Sequence, residues 1–153
     1  MMRNDAVSTR DYVTATVGGQ LFGLPILQVQ DVFVPERVTP VPLAPPEIAG
    51  VLNLRGRIVT MIDLRQRLGL ERRDPGARSM AIGVEIGGES YGLLIDAVGE
   101  VLALDDDARE DNPVNLDRKL AAVSAGIHRL DGALLVTLDL DKILDLDHAV
   151  AAA

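Results

Sequence analysis

Residues Gly50 to Leu64 (G-V-L-N-L-R-G-R-I-V-T-M-I-D-L) and Gly126 to Leu140 (G-I-H-R-L-D-G-A-L-L-V-T-L-D-L) are two copies of one design. Gly50, Leu54, Gly56, Ile58, Ile62, Asp63 and Leu64 fall on Gly126, Leu130, Gly132, Leu134, Leu138, Asp139 and Leu140, without a gap, at an offset of 76 (126 minus 50). In each copy two aliphatic, β-branched runs flank a short polar break, which is the pattern of a β-hairpin. Gly56 supplies the positive φ required at the second central position of a two-residue turn. Arg55 is unusual before it, since Asn or Asp is the common choice there. A type II turn accepts Arg55 without strain, and either way a cation stands at the tip of an apolar hairpin. The second copy has Asp131-Gly132, the commonplace hairpin turn.

An earlier segment is doubled as well. Gly18 to Leu24, with Val29, Asp31 and Val32, matches Gly87 to Leu93, with Val98, Glu100 and Val101, at an offset of 69 (87 minus 18). Two ungapped matches in one order predict two similar subdomains. Two β subdomains of about 65–70 residues are marginal alone, so they are expected to share a core. The boundaries that follow are a loose N-terminus over 1–10 and a doubled domain over 11–147. Within it, repeat one covers about 12–70, a charged linker about 71–78 and repeat two about 79–147; a tail covers 148–153.

Strand patterns run from Tyr12 to Val17, Gln20 to Leu24, Leu27 to Val34 and Met80 to Ile86. Five prolines between Pro35 and Pro46 bar a helix there. Asp63 and Asp139 each precede a short helical pattern, so both are N-caps rather than catalytic acids. The expected fold is mainly β: two five-stranded barrels side by side with two short helices.

Composition removes several functions. Net charge is −8 and aromatic residues make up 3%, with no Trp. Phosphate-neutralising cations and stacking rings are therefore scarce, and no nucleic-acid partner is expected. With no Cys there is neither a disulfide nor a thiolate metal site. His128 and His148 lack metal-ligand spacing, and Asp105, Asp106, Asp107, Glu110 and Asp111 lack the glycine of a calcium loop, so no metal is expected. No phosphate-binding glycine motif occurs, and no cofactor is expected. No stretch reaches the ~20 apolar residues of a membrane span, so insertion is not expected either.

The segment N-L-R-G-R-I-V-T-M-I-D-L-R (Asn53 to Arg65) follows L-P-I-L-Q-V-Q-D-V (Leu24 to Val32) and precedes Y-G-L-L-I-D-A-V-G-E-V-L (Tyr91 to Leu102). In that order these segments resemble the CheW family, the coupling proteins of bacterial chemotaxis arrays. The resemblance covers about residues 11 to 147. It implies two five-stranded barrels of the Src-homology-3 type and no catalytic activity. It implies an adaptor between the cytoplasmic hairpin tip of a chemoreceptor and the regulatory domain of a CheA-type histidine kinase. It implies a cytoplasmic protein recruited to membrane receptor arrays.

By the same resemblance, receptor binding falls on Arg55, Val29, Gln30, Asp31 and Gly50. Asp31 stands where the family carries Glu, and Thr60 where it often carries Pro. Val98 and Gly92 are expected at the seam between the subdomains, and the kinase surface is left open. The plain alternatives are a solvated turn for Arg55 and an edge-strand charge for Asp31. Alternative functions are a CheW-like array, pilus or biofilm module that binds without stimulating the kinase and, from another class, a small carboxylate-dependent hydrolase. The hydrolase needs two perturbed acids in one pocket.

Overall fold

A computed structural model describes residues 9–71 and 79–144. The strands are β1 (Thr9–Val17), β2 (Gln20–Pro25), β3 (Val29–Phe33), β4 (Ile48–Leu54) and β5 (Arg57–Asp63), then β6 (Met80–Ile86), β7 (Glu89–Ile95), β8 (Ala97–Asp105), β9 (Ser124–Leu130) and β10 (Ala133–Leu138). The α-helices are α1 (Leu64–Arg67), α2 (Arg118–Ala121) and α3 (Leu140–Ile143). Single 3₁₀ turns lie at Ile26–Gln28 and Asp106–Ala108.

The ten strands form two five-stranded sheets, in the orders β9-β10-β2-β1-β8 and β4-β5-β7-β6-β3. The orders are equivalent once β1 to β5 are matched with β6 to β10. A repeat, however, is not a sheet. Each sheet takes its first two strand types from one repeat and its last three from the other. The hairpins β1–β2, β4–β5, β6–β7 and β9–β10 lie within repeats. The pairings β1–β8, β2–β10, β3–β6 and β5–β7 join them. The expectation of one subdomain per repeat is corrected accordingly: two subdomains exist, and each is built from both halves.

Side-chain alternation then sorts the core into three parts. Ile82 and Val84 of β6 and Leu93 and Ile95 of β7 point toward the other sheet. There they meet Val13, Ala15, Phe22, Leu24, Ile127 and Val136 in one shared core. The opposite residues, Ala81 and Leu94, join Leu52, Val59 and Met61 inside the second sheet's own curve. Tyr12, Leu104 and Leu135 do the same in the first sheet. Strands buried on both faces explain why β6, M-A-I-G-V-E-I, is a nearly continuous apolar run.

Both predicted caps are in place. The Asp63 carboxylate accepts from the Arg65 and Gln66 amides, and that of Asp139 from the Asp141 and Lys142 amides. These bonds satisfy orphan N–H groups of the first helical turn. The acidic stretch from Asp105 to Lys119, where no helix is expected, contains the start of a third helix, α2, capped by Asp117. β1 begins at Thr9, inside the segment read as loose. The tail over 148–153 and nearly all of the linker lie outside the described residues.

Candidate functional site

The second sheet curls until β3, at one edge, faces the β4–β5 hairpin at the other. Arg55 Nη1 then lies 3.2 Å from Asp31 Oδ2 and donates to it across the mouth of the curve. Gln30, Asp31, Phe33, Arg55, Arg57 and Tyr91 line a cleft of about 210 Å³ at this mouth. A bulge between Val29 and Asp31 leaves Gln30 as the extra, exposed residue of β3. Asp31 and Phe33 then turn inward. Asp31 sits over Gly83, where a Cβ would collide with its Oδ1. The Phe33 ring lies across Gly83 and Gly92, 3.6 and 3.4 Å from where their Cβ atoms would be. The glycines of β6 and β7 thus make room for the inward residues of β3.

The turn that carries Arg55 differs from the type II expectation. Arg55 has φ 54 and Gly56 φ 84, so both central residues are left-handed, as in a type I′ turn. The Gly56 amide donates to Asn53 Oδ1 at 3.0 Å, which ties the loop down. In the second copy Gly132 has positive φ and Asp131 does not. The strained conformation therefore falls on the residue worse suited to it. For an L-residue other than Gly, Asn or Asp, the left-handed region costs roughly 1–2 kcal/mol. The ion pair to Asp31 returns about 0.5 kcal/mol, because the Arg55 side chain is 76% exposed. Stability thus does not account for Arg55. The Arg55→Asn variant is expected to raise stability by about 0.5–1 kcal/mol, seen as a higher urea midpoint at unchanged slope.

The remaining residues implied by the resemblance scatter. Val29 is half-buried and packs on the shared core. Gly50 is buried at φ 150, with its Cα against the Thr39 carbonyl. Val98 packs against the shared core between the sheets. Gly92 lies inside the second sheet against Met61 and Phe33; its neighbour Leu93 is the one that faces the seam. Only Arg55, Asp31 and Gln30 come together at the mouth. Phe33, Gly83 and Tyr91 also line the mouth, although the resemblance assigns them no role. A glycine inside an apolar strand was the available signal for Gly83.

Among the described residues no cluster of His, Asp or Glu is arranged to hold a metal ion. None of the described helices is long and apolar enough to cross a membrane.

A family model described as CheW-like domain matches residues 11–148. The chain belongs to the CheW family. The chemotaxis protein CheW of Rhizobium meliloti is 28% identical over 143 residues, covering 94% of this chain and 92% of its own. The probable chemotaxis protein CheW of Rhizobium etli is 30% identical, with the same coverage of 94% and 92%. The crystal structure of the scaffolding protein TtCheW from Thermoanaerobacter tengcongensis superposes with a TM-score of 0.76 at 33% identity, over 86% of this chain and 89% of that one.

Membership makes this CheW-family chain a non-catalytic chemotaxis scaffold, and the hydrolase alternative falls with it. The buried His128 is consistent with a structural position in such a scaffold. Its ring lies 6.0 Å from that of Tyr12 inside the first sheet, and Nε2 is buried without a hydrogen-bond partner. Burial first, and then the Arg109 charge, hold its pKa below the ordinary value, while Asp106 and Asp105 act against them. The unfolded chain therefore takes up a proton near the usual histidine range and the folded chain only at lower pH. The resulting stability is fully present above the unfolded value and is lost as pH falls through the folded one. Between about pH 7.5 and about pH 5.5, the wild-type urea midpoint should fall further than that of His128→Leu.

Proposed function

We propose that the chain couples a chemoreceptor to a CheA-type histidine kinase by binding the receptor's cytoplasmic hairpin at the mouth of the second sheet and the kinase regulatory domain elsewhere. It works in the cytoplasm, recruited to membrane receptor arrays. Arg55 carries this reading. Its backbone is strained, its guanidinium is exposed, and its ion pair does not repay the strain. Local strain with no return in stability points to a group held out for a partner. Gln30 and Asp31 flank it on β3, and Arg57 on β5 lines the same cleft. Gly50 sets the path of the neighbouring chain rather than touching a partner.

A guanidinium in this setting selects a carboxylate, which it takes in two parallel hydrogen bonds. An acidic side chain on the receptor helix can replace Asp31 as its partner. Coupling is then an equilibrium effect, in which each partner biases the arrangement the other meets. Arg55→Glu is expected to weaken recruitment of a receptor hairpin at least about tenfold while leaving the unfolding transition in place. Pull-down with a receptor tip and kinase activation in a reconstituted mixture measure recruitment and coupling, and a urea titration checks the unfolding transition. Normal coupling by this variant would return Arg55 to the status of a turn residue.

A further inference from the structure

The chain passes between the sheets at two equivalent places. β2 of the first sheet leads into β3 of the second through Ile26–Gln28, and β7 of the second leads into β8 of the first through Asp96. In the repeat register Asp96 corresponds to Leu27 (96 minus 69) and Arg65 to Asp141 (141 minus 76). The two crossings are fastened very differently.

At the second crossing, Arg65 donates from Nε to Asp96 Oδ1 at 3.0 Å and from Nη2 to Oδ2 at 2.7 Å. The pair is largely shielded, at 21% and 24% side-chain exposure. The same carboxylate accepts the Gly18 amide at 2.8 Å, and the Asp96 amide donates to the Thr16 carbonyl. Further along β8, Thr14 Oγ1 donates to the Glu100 carbonyl at 2.6 Å, and Arg10 pairs with Asp106 just beyond it. Bidentate pairs of this kind fix geometry as well as adding energy.

At the first crossing, Leu27 is 96% exposed and none of the residues Ile26–Gln28 is buried. The strand it leads into, β3, is five residues long, bulged, at a sheet edge, and has no fully buried residue. Val29 and Phe33 pack against the two cores from partly buried positions, and among the described residues the polar side-chain tether of β3 is the exposed Asp31–Arg55 pair. Few buried contacts and exposed backbone bonds are what mark a segment that opens locally.

We propose that β3, together with the crossing before it, is a strap that detaches and recloses over the mouth of the second sheet while the rest of the fold stays intact. Its counterpart β8 is held shut by the Arg65–Asp96 clasp. This holds whatever docks at the mouth, and it makes the Asp31–Arg55 contact a two-position element rather than a fixed one.

Amide hydrogen exchange on the intact chain tests it. The amides of β3 are expected to exchange at least about tenfold faster than those of β8. Moving the clasp by symmetry, with Leu27→Asp and Asp141→Arg together, should slow β3 about tenfold and leave β8 unchanged. Asp96→Asn should speed β8 toward the rate of β3. Equal wild-type rates in β3 and β8, both set by global unfolding, would overturn the proposal. So would a folded double variant whose β3 exchanges as fast as before. If the double variant does not fold, the wild-type comparison alone decides.

Discussion

Cutting the chain within residues 72–78 and separating the pieces should abolish folding of both. Each piece keeps only pairings of its own repeat: β1–β2 and β4–β5 in one, β6–β7 and β9–β10 in the other. Isolated two-stranded hairpins are at best marginal in water. The lost pairings β1–β8, β2–β10, β3–β6 and β5–β7 are those that complete the sheets, and the shared core loses one wall of each face. The whole stability of the domain, about 5–15 kcal/mol for a chain of this size, is at stake. Far-UV circular dichroism and urea titration should show no cooperative transition for either piece. Mixing or co-expressing them should restore one. A piece that unfolds cooperatively by itself would contradict the strand exchange.

Gly50→Ala should cost about 3 kcal/mol or more. The residue has φ 150, and an added Cβ would run into the Thr39 carbonyl and lie 2.8 Å from Val38 Cγ1. Neither can withdraw easily, because the Thr39 and Val51 amides and carbonyls are paired in both directions at 2.8 and 2.9 Å. The equivalent Gly126→Ala should cost less. There two of the three nearest atoms belong to the flexible Arg109 side chain, each 2.9 Å away. Urea midpoints of the two variants, measured side by side, check both the size and the order of the effects.

Features set by near neighbours in the sequence were legible from it. The doubled hairpins, the glycine turns and the Asp63 and Asp139 caps each depend on residues a few places apart, and each was found where expected. What could not be seen is what joins distant segments. The parallel pairings β5–β7 and β2–β10 leave no periodic trace, so the exchange of strands between repeats was invisible. The family resemblance supplied Arg55, Asp31 and Gln30. It could not supply the bulge that turns Asp31 inward, nor the left-handed backbone at Arg55, which depends on strand twist and on Asn53. Gly92 was expected at the seam, yet a one-residue alternation puts it on the opposite face of β7. Arg65 and Asp96 lie 31 residues apart and carried no signal.

The interleaved sheets also limit what half of the chain could form on its own. A single half of about 70 residues holds strands for two incomplete sheets and no complete one. It gains a finished structure only by lending strands to an identical copy and borrowing the same number back. The present chain is such a mutually completed pair within one polypeptide. Because the two halves are covalently joined, their matching hairpin tips need not be identical, and only one of them carries an arginine.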